Sequence, residues 1–465
     1  MAFANGVWIK SGYCVAMANS LKSFFSSSVF PILLVNFIGI LGYSVVIPIL
    51  IFIVQDFGGN GFIYGVLGAT YPFFQFMGAP ILGRLSDRIG RRKVLIVSQV
   101  GTFLAWVLFL LAFMLPETKL WEQDSEVTGS YFMTIPLAVI FMARMLDGFT
   151  GGNISVANAY MSDISTDETR SANFGKMGAS ASLGFVVGPA FAGVLATTVM
   201  GEVLPLLIAA LISLVAIFVI KYRLKESMPC VVDTGKISFK NFRKVFQMEV
   251  KDCFVDGEDH YETDQKNSWA TILKIDGVPL LFSTYFLTFL AFSLFYASLP
   301  VYASSVLGWS AINLGVFLAY FSLVMVITQG PVLSRLAKQF KSEQLVIGGA
   351  LFLAVGFVLL SQAHIALLYT GVTLMAFGNG TMWPSFLSIL SGTGGARRQG
   401  AIQGYGSSVG SIANMSGLVL GGVLFQAFGI LVFAIGGAIF ILIAVLAIFD
   451  NSKRLSKRVE PFDAR

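Results

Sequence analysis

Apolar stretches of about 20 residues recur along nearly the whole chain, and each is long enough as a helix to cross a ~30 Å hydrocarbon layer. Inside a bilayer the backbone has to satisfy its own hydrogen bonds, so each stretch is expected as a spanning helix. Twelve are read, at 30–54, 61–82, 94–115, 131–156, 173–199, 203–220, 278–305, 312–334, 344–362, 365–390, 400–425 and 428–449. Composition agrees: 56% of residues are hydrophobic and 12% charged, with 43 Phe and 48 Gly, well outside the balance of soluble domains.

Hydropathy collapses once at length, between Tyr222 and Ile275, in a mixed-charge stretch that includes VDGEDHYETDQKNSW. Six spans precede this break and six follow it, which predicts an all-α polytopic membrane protein of twelve transmembrane helices in two pseudo-symmetric six-helix bundles. The expected divisions are a cytoplasmic N-terminal segment (1–28), a first bundle (29–222), a cytoplasmic linker (223–275), a second bundle (276–450) and a cytoplasmic tail (451–465). Two repeat traces support duplication. PILGRLS from Pro80 parallels PVLSRLA from Pro331, and Gly175, Gly188 and Gly193 fall against Gly404, Gly417 and Gly422 at one constant offset. The acidic linker reads as solvated chain, with a regulatory or partner-binding element as the alternative.

The formal charge of +6 is spread through short loops, which argues against a nucleic-acid partner. With span ends alternated, Arg84, Arg88, Arg91, Arg92, Arg335, Arg397 and Arg398 share one side, and only Lys119 stands opposite. The positive-inside rule then places both termini in the cytoplasm, as in a multi-pass protein of a bacterial inner membrane. Cys14, Cys230 and Cys253 fall on the cytoplasmic side, where thiols stay reduced and no disulfide framework is expected. Residues 1–28 read as an amphipathic surface segment rather than a cleavable signal. Gly175-Lys176 and Gly235-Lys236 are followed by Met and Ile, so neither belongs to a phosphate-cradling loop and an ATP-driven pump is excluded. Nothing clusters as a nucleophile, metal or acid–base set; the chain is expected to be no enzyme, to need no cofactor or metal, and to work as a monomer in lipid.

Charge concentrates in GRLSDRIGRRK, starting at Gly83, at the end of the second span. Gly90 suits a tight turn, Asp87 can accept from nearby arginines or backbone N–H groups, and Arg91 can reach the carboxylate of Asp163 in NAYMSDIS. Such pairs are individually weak at a water interface. A network formed in one conformation and broken in another would act as a latch; a simple positive-inside anchor is the other reading. Gly83-x-x-x-Asp87-Arg88-x-Gly90-Arg91-Arg92 resembles the loop motif between helices two and three of the major facilitator superfamily. That resemblance extends over essentially the whole chain and implies a latch closing the cytoplasmic side in the outward-open state. The second half departs from it, because Lys338 stands where Asp87 stands, implying an asymmetric latch.

Ionisable residues inside a bilayer are costly and usually functional. Only Arg144 and Asp147 are read at depth; three residues apart, they share a helix face and can neutralise one another. Either the pair is structural, or Asp147 exchanges a proton while Arg144 tunes it. Arg144-x-x-Asp147-Gly148 resembles the fourth-helix motif of drug/proton antiporters, which ties the arginine to proton coupling. Both histidines, His260 and His364, fall outside the spans, so coupling is expected to run through the first half.

In the fifth span, Gly184, Gly188, Pro189 and Gly193 provide close helix contact and a bend. Gly-x-x-x-Gly-Pro-x-x-x-Gly also resembles the antiporter signature of exporters in this superfamily. ILGYSVVIPIL in span one resembles the first-helix motif of the twelve-helix drug/proton antiporters, and DGFTGGNISVANAYMSDIS is similar to the tetracycline-resistance efflux branch. Polar and aromatic residues within spans are candidate cavity lining: Asn36, Gln75, Asn153, Asn158, Tyr296, Tyr320, Gln329, Asn379, Trp383 and Gln403. The expected function is proton-coupled export of a small amphipathic compound by alternating access. A proton-coupled importer and a transporter-like receptor or scaffold are the alternatives.

Overall fold

The computed structural model describes residues 29–125, 128–196, 198–227, 269–393 and 399–459. The N-terminal segment, the acidic stretch of the linker, all three cysteines, His260 and the Arg397–Arg398 pair lie outside the described residues, as does the side chain of Gln403.

The first half runs α1 (Phe30–Asp56), α2 (Gly61–Ile89), α3 (Arg91–Ala112), β1 (Lys119–Gln123), β2 (Tyr131–Thr134), α4 (Ile135–Gly151), α5 (Ile154–Asp163), α6 (Asp167–Leu195) and α7 (Val203–Arg223). After the linker come α8 (Trp269–Leu273), α9 (Val278–Ser305) and α10 (Ala311–Ile327). A π-helical turn (Thr328–Val332) and α11 (Leu333–Leu336) prolong α10, followed by α12 (Ser342–Leu360), α13 (Ile365–Gly392), α14 (Gln399–Phe428) and α15 (Leu431–Val459).

Local chemistry fixes several boundaries. The Asn60 side chain accepts the Ile63 N–H at 3.1 Å and starts α2. Gly90, at φ 102°, separates α2 from α3 with no room for a longer loop, a conformation costly for any residue with a Cβ. Pro sits in the first turn of α1, α4 and α9, where a missing N–H costs nothing.

Among the described residues, eleven helical segments are long and apolar enough to cross a membrane. Helix α2 has the length, at 29 residues, but its Gln, Arg and Asp side chains and its many glycines lower its hydropathy. The span expected at 131–156 begins later, because residues 131–134 form β2 and pair antiparallel with β1. Phe132 N–H bonds the Gly58 carbonyl at 2.8 Å, holding this hairpin against the turn between α1 and α2. The same span breaks near Gly152 and resumes as α5.

Contacts between the two halves gather at one end. A Cβ built at Gly65 would lie 2.6 Å from the Leu418 carbonyl oxygen, and one at Gly193 would lie 2.8 Å from Gly315 Cα. Tyr64 donates to the Tyr296 carbonyl at 2.9 Å and Gln55 to Ser304 at 3.1 Å. Toward the end with the charged loops the helices part: a Cβ at Gly178, Gly330 or Gly404 would meet nothing within 4 Å. Phe73, Phe76 and Met77 are exposed on α2 there. The molecule is therefore closed at the hairpin end and open at the charged end.

Candidate functional site

Helix α4 carries Arg144 and Asp147, 3% and 6% exposed. The guanidinium donates from Nη1 to Asp147 Oδ2 at 3.3 Å. Close packing buries the pair: a Cβ at Gly148 would collide with the Tyr71 carbonyl oxygen, and one at Gly78 with that of Phe149. Only glycine lets α2 and α4 approach so far. That approach brings the Tyr71 ring to 4.8 Å from Arg144 Cζ, while the Tyr43 ring of α1 lies at 5.7 Å. Both faces hold the cation by its attraction to π-electrons, so Arg144 keeps favourable contacts even when Asp147 is neutral.

The surroundings of the pair are polar on two sides. Gln75 donates to the Tyr71 hydroxyl at 3.3 Å and to the Gly151 carbonyl at 3.1 Å. Thr102 of α3 lines a small cavity together with Asp147 and Tyr43. Sequence reasoning misses Tyr43 and Tyr71, because Tyr is common in spans; the available signal is Tyr43 inside ILGYSVVIPIL and Tyr71 one helical turn before Gln75.

The charged loop forms a network of ion pairs and hydrogen bonds around Arg91. Arg91 pairs with Asp87 and with Asp163, the latter from Nε at 3.1 Å, and donates to Ser86 at 2.7 Å. Glu226, just past α7, accepts the backbone N–H groups of Arg91 and Arg92 at 2.8 and 3.1 Å, placing a carboxylate on the positive end of α3. Gly83 lies inside α2, where a Cβ would stand 3.5 Å from Ser155 Oγ of α5, Gly90 alone forms the turn, Arg88 sits in the last turn of α2, and each of these contacts lies within the first half. Glu226 carries no spacing signal, since it arrives from 135 positions away.

Three glycines of α6, Gly184, Gly188 and Gly193, mark contacts. Gly184 and Gly188 face α1, where a Cβ at Gly188 would collide with Ser44 Oγ, and Ser44 donates to the Gly184 carbonyl at 2.9 Å. Pro189 lies inside the helix, and Gly193 meets Gly315 of the other half.

The candidate lining residues divide. Asn36 donates to the Met177 carbonyl and to Ser180, joining α1 to α6. Tyr320 bonds Thr373 at 2.7 Å, joining α10 to α13, and Asn379 donates to Met325 Sδ at 3.1 Å. Gln75 bridges α2 and α4 through the bonds to Tyr71 and Gly151. Asn153 and Gln329 are half-buried, the latter in the π-helical turn, and Asn158 is exposed on α5. Trp383 packs edge-on against Tyr285 and Phe289, and Tyr296 against Phe295.

Two helical halves, joined at one end, parted at the other and carrying a buried ion pair, define a polytopic membrane transporter. The chain belongs to the Major Facilitator Superfamily, whose sequence profile matches residues 32–361 and again 281–464. It is 27% identical over 379 residues to the class C tetracycline resistance protein of Escherichia coli, covering 81% of this chain and 84% of that protein. It is likewise 27% identical over 408 residues to multidrug resistance protein 2 of Bacillus subtilis, covering 86% and 89%. The human organic anion transporter MFSD10 has the same fold, with a TM-score of 0.61 at 18% identity over 90% of this chain and 98% of that one. As a member of a family of transporters, the protein is not an enzyme.

Proposed function

We propose that this protein is a proton-coupled exporter of a small amphipathic compound, working by alternating access in a bacterial inner membrane with both termini cytoplasmic. One observation carries the reading: among the described residues Asp147 is the sole buried carboxylate, and its partner Arg144 is buried with it. A buried carboxylate paired with a movable cation can take up and release a proton as its access to water changes. Neutralising Asp147 frees Arg144 from its anion while the tyrosine rings still hold it. The resemblance to efflux relatives and the α6 glycine–proline pattern favour export over uptake.

The open end then faces the cytoplasm. Asn153, Asn158, Gln329 and Gln403, with the rings of Trp383 and Tyr296, supply the polar and aromatic contacts for substrate. Asn36, Gln75, Tyr320 and Asn379, bonded between helices, shape the cavity wall. The Arg91, Asp87 and Asp163 cluster, with Gly83, Arg88 and Gly90, is already paired within the first half while the charged end is open, so its latch role requires these groups to re-pair toward the second half when that end closes.

The test is flux in proteoliposomes containing a pH dye, across a panel of amphipathic compounds that includes tetracycline. Proton movement opposite to a compound supports the proposal. Movement in the same direction makes the protein a symporter, and absence of proton movement during transport removes the coupling role of Asp147.

A further inference from the structure

Beside Asp147 lies a small cavity that coupling by the ion pair alone does not use. Helices α1, α3, α4 and α7 line it, and Gly42, Tyr43, Thr102, Trp106, Asp147 and Ser213 are among its lining residues. The centre of a water molecule can range over about 10 Å³ there, close to the room that one water requires.

Its polar groups are incompletely satisfied by protein. Trp106 is 2% exposed, and its Nε1–H is buried with no hydrogen-bond partner. A stranded buried donor is costly, and proteins commonly satisfy such groups with ordered water. Ser213, also 2% exposed, accepts from Gln99 Nε2 at 2.9 Å, which leaves its own hydroxyl hydrogen to give. Thr102 shares a hydrogen bond of 3.1 Å with Thr150 and lines the cavity with Asp147. The ionisable groups around the carboxylate are Arg144 of α4, Tyr43 of α1 and Tyr71 of α2; α3 and α7 line the cavity with no charged side chain.

We propose that this cavity binds one water, which accepts from Trp106 and Ser213 and donates to the Asp147 carboxylate. A water with three such partners matches the usual coordination of buried waters, and it would satisfy the indole. Trp106 and Ser213 are thereby positioning residues for the acid. The water sits within the first half rather than between the halves, so it stays with the carboxylate whichever end of the molecule is open. This deepens the reading of Asp147 as the coupling acid and rests on it.

The site is tested on the full chain in lipid nanodiscs with 15N-labelled tryptophan. The six Trp residues give six indole signals, and the one missing from Trp106→Phe belongs to Trp106. That signal is expected to receive magnetisation directly from water protons. In Gly42→Ala the transfer should vanish while the signal remains, because the new Cβ would stand 3.4 Å from Trp106 Cζ2 and 3.9 Å from Nε1, filling the space at ordinary contact distance. Ser213→Ala, which removes a donor without adding volume, should weaken it. No transfer in the unaltered protein, or transfer indifferent to Gly42→Ala, overturns the site. In coupled flux, Trp106→Phe should move the pH midpoint upward by about one unit, as loss of a held water that donates to a charged carboxylate implies; an unmoved midpoint overturns the positioning role. If Asp147→Asn keeps coupled flux while the water signal is present, the coupling role fails and the water site stands.

Discussion

At the scale of single residues, the molecule concentrates its risk in Arg144 and Asp147. Both are buried, and a buried charge left without its partner is far more costly than the pair. Arg144→Leu is therefore expected to lower stability by about 3–5 kcal/mol, read as a fall in the denaturation midpoint in detergent. The double replacement Arg144→Leu with Asp147→Leu should recover most of that loss and still fail to transport, separating the structural worth of the pair from its proposed use. Gly188 makes a different demand. A Cβ there would drive into Ser44 Oγ, so Gly188→Ala should cost about 1–3 kcal/mol as an overpacked contact. Combining it with Ser44→Gly should cost less than the sum of the two single changes, because the clash is removed along with the Ser44 bond to Gly184; strictly additive losses would mean that the glycine acts other than by packing against Ser44. Arg144, Asp147 and Gly188 are legible in the sequence because charge is rare and glycine is patterned in spans. Trp106 is not, because its importance rests on a hydrogen bond it lacks.

At the scale of elements, the twelve apolar stretches are legible because burying a backbone in hydrocarbon leaves helix as the simple solution. The edges are less legible. Tyr131, Phe132 and Met133 are apolar enough to extend a span, yet they pair with β1, where the hairpin's hydrogen bonds to the turn after α1 outweigh helical continuation. The cap of α3 is likewise hidden. Nothing near Arg91 foretells that Glu226 will supply a carboxylate to the helix start. Glu226→Gln should weaken the fold by about 0.3–1 kcal/mol, and the difference should shrink in high salt; a salt-independent loss would assign Glu226 to packing. Among the candidate lining residues, Asn36 and Tyr320 are bonded between helices. Polarity inside a span signals an inward face but does not distinguish a wall from a joint.

At the scale of the whole molecule, the contacts between the halves gather at the hairpin end. Gly193 and Gly315 touch at the closed end, whereas Gly178, Gly330 and Gly404 meet nothing at the open one. Interfaces of this kind have discrete arrangements rather than a continuum. Gly193→Val should prevent the close approach and shift the population toward the form closed at the charged end. Spin labels at the two ends of α6 and α10 would then report longer distances at the hairpin end and shorter ones at the other; unchanged distances would make the contact passive. The two halves, the break between them and the repeated motifs are readable from sequence. Which end is closed is not, because the same residues serve both arrangements.

On the proposed mechanism, substrate and proton compete through Asp147. That competition is tested most directly by adding a transported compound to the purified protein in weakly buffered solution and recording proton release with a pH dye. Release is expected from the unaltered protein and none from Asp147→Asn. Release undiminished in Asp147→Asn would contradict a coupling role for this carboxylate.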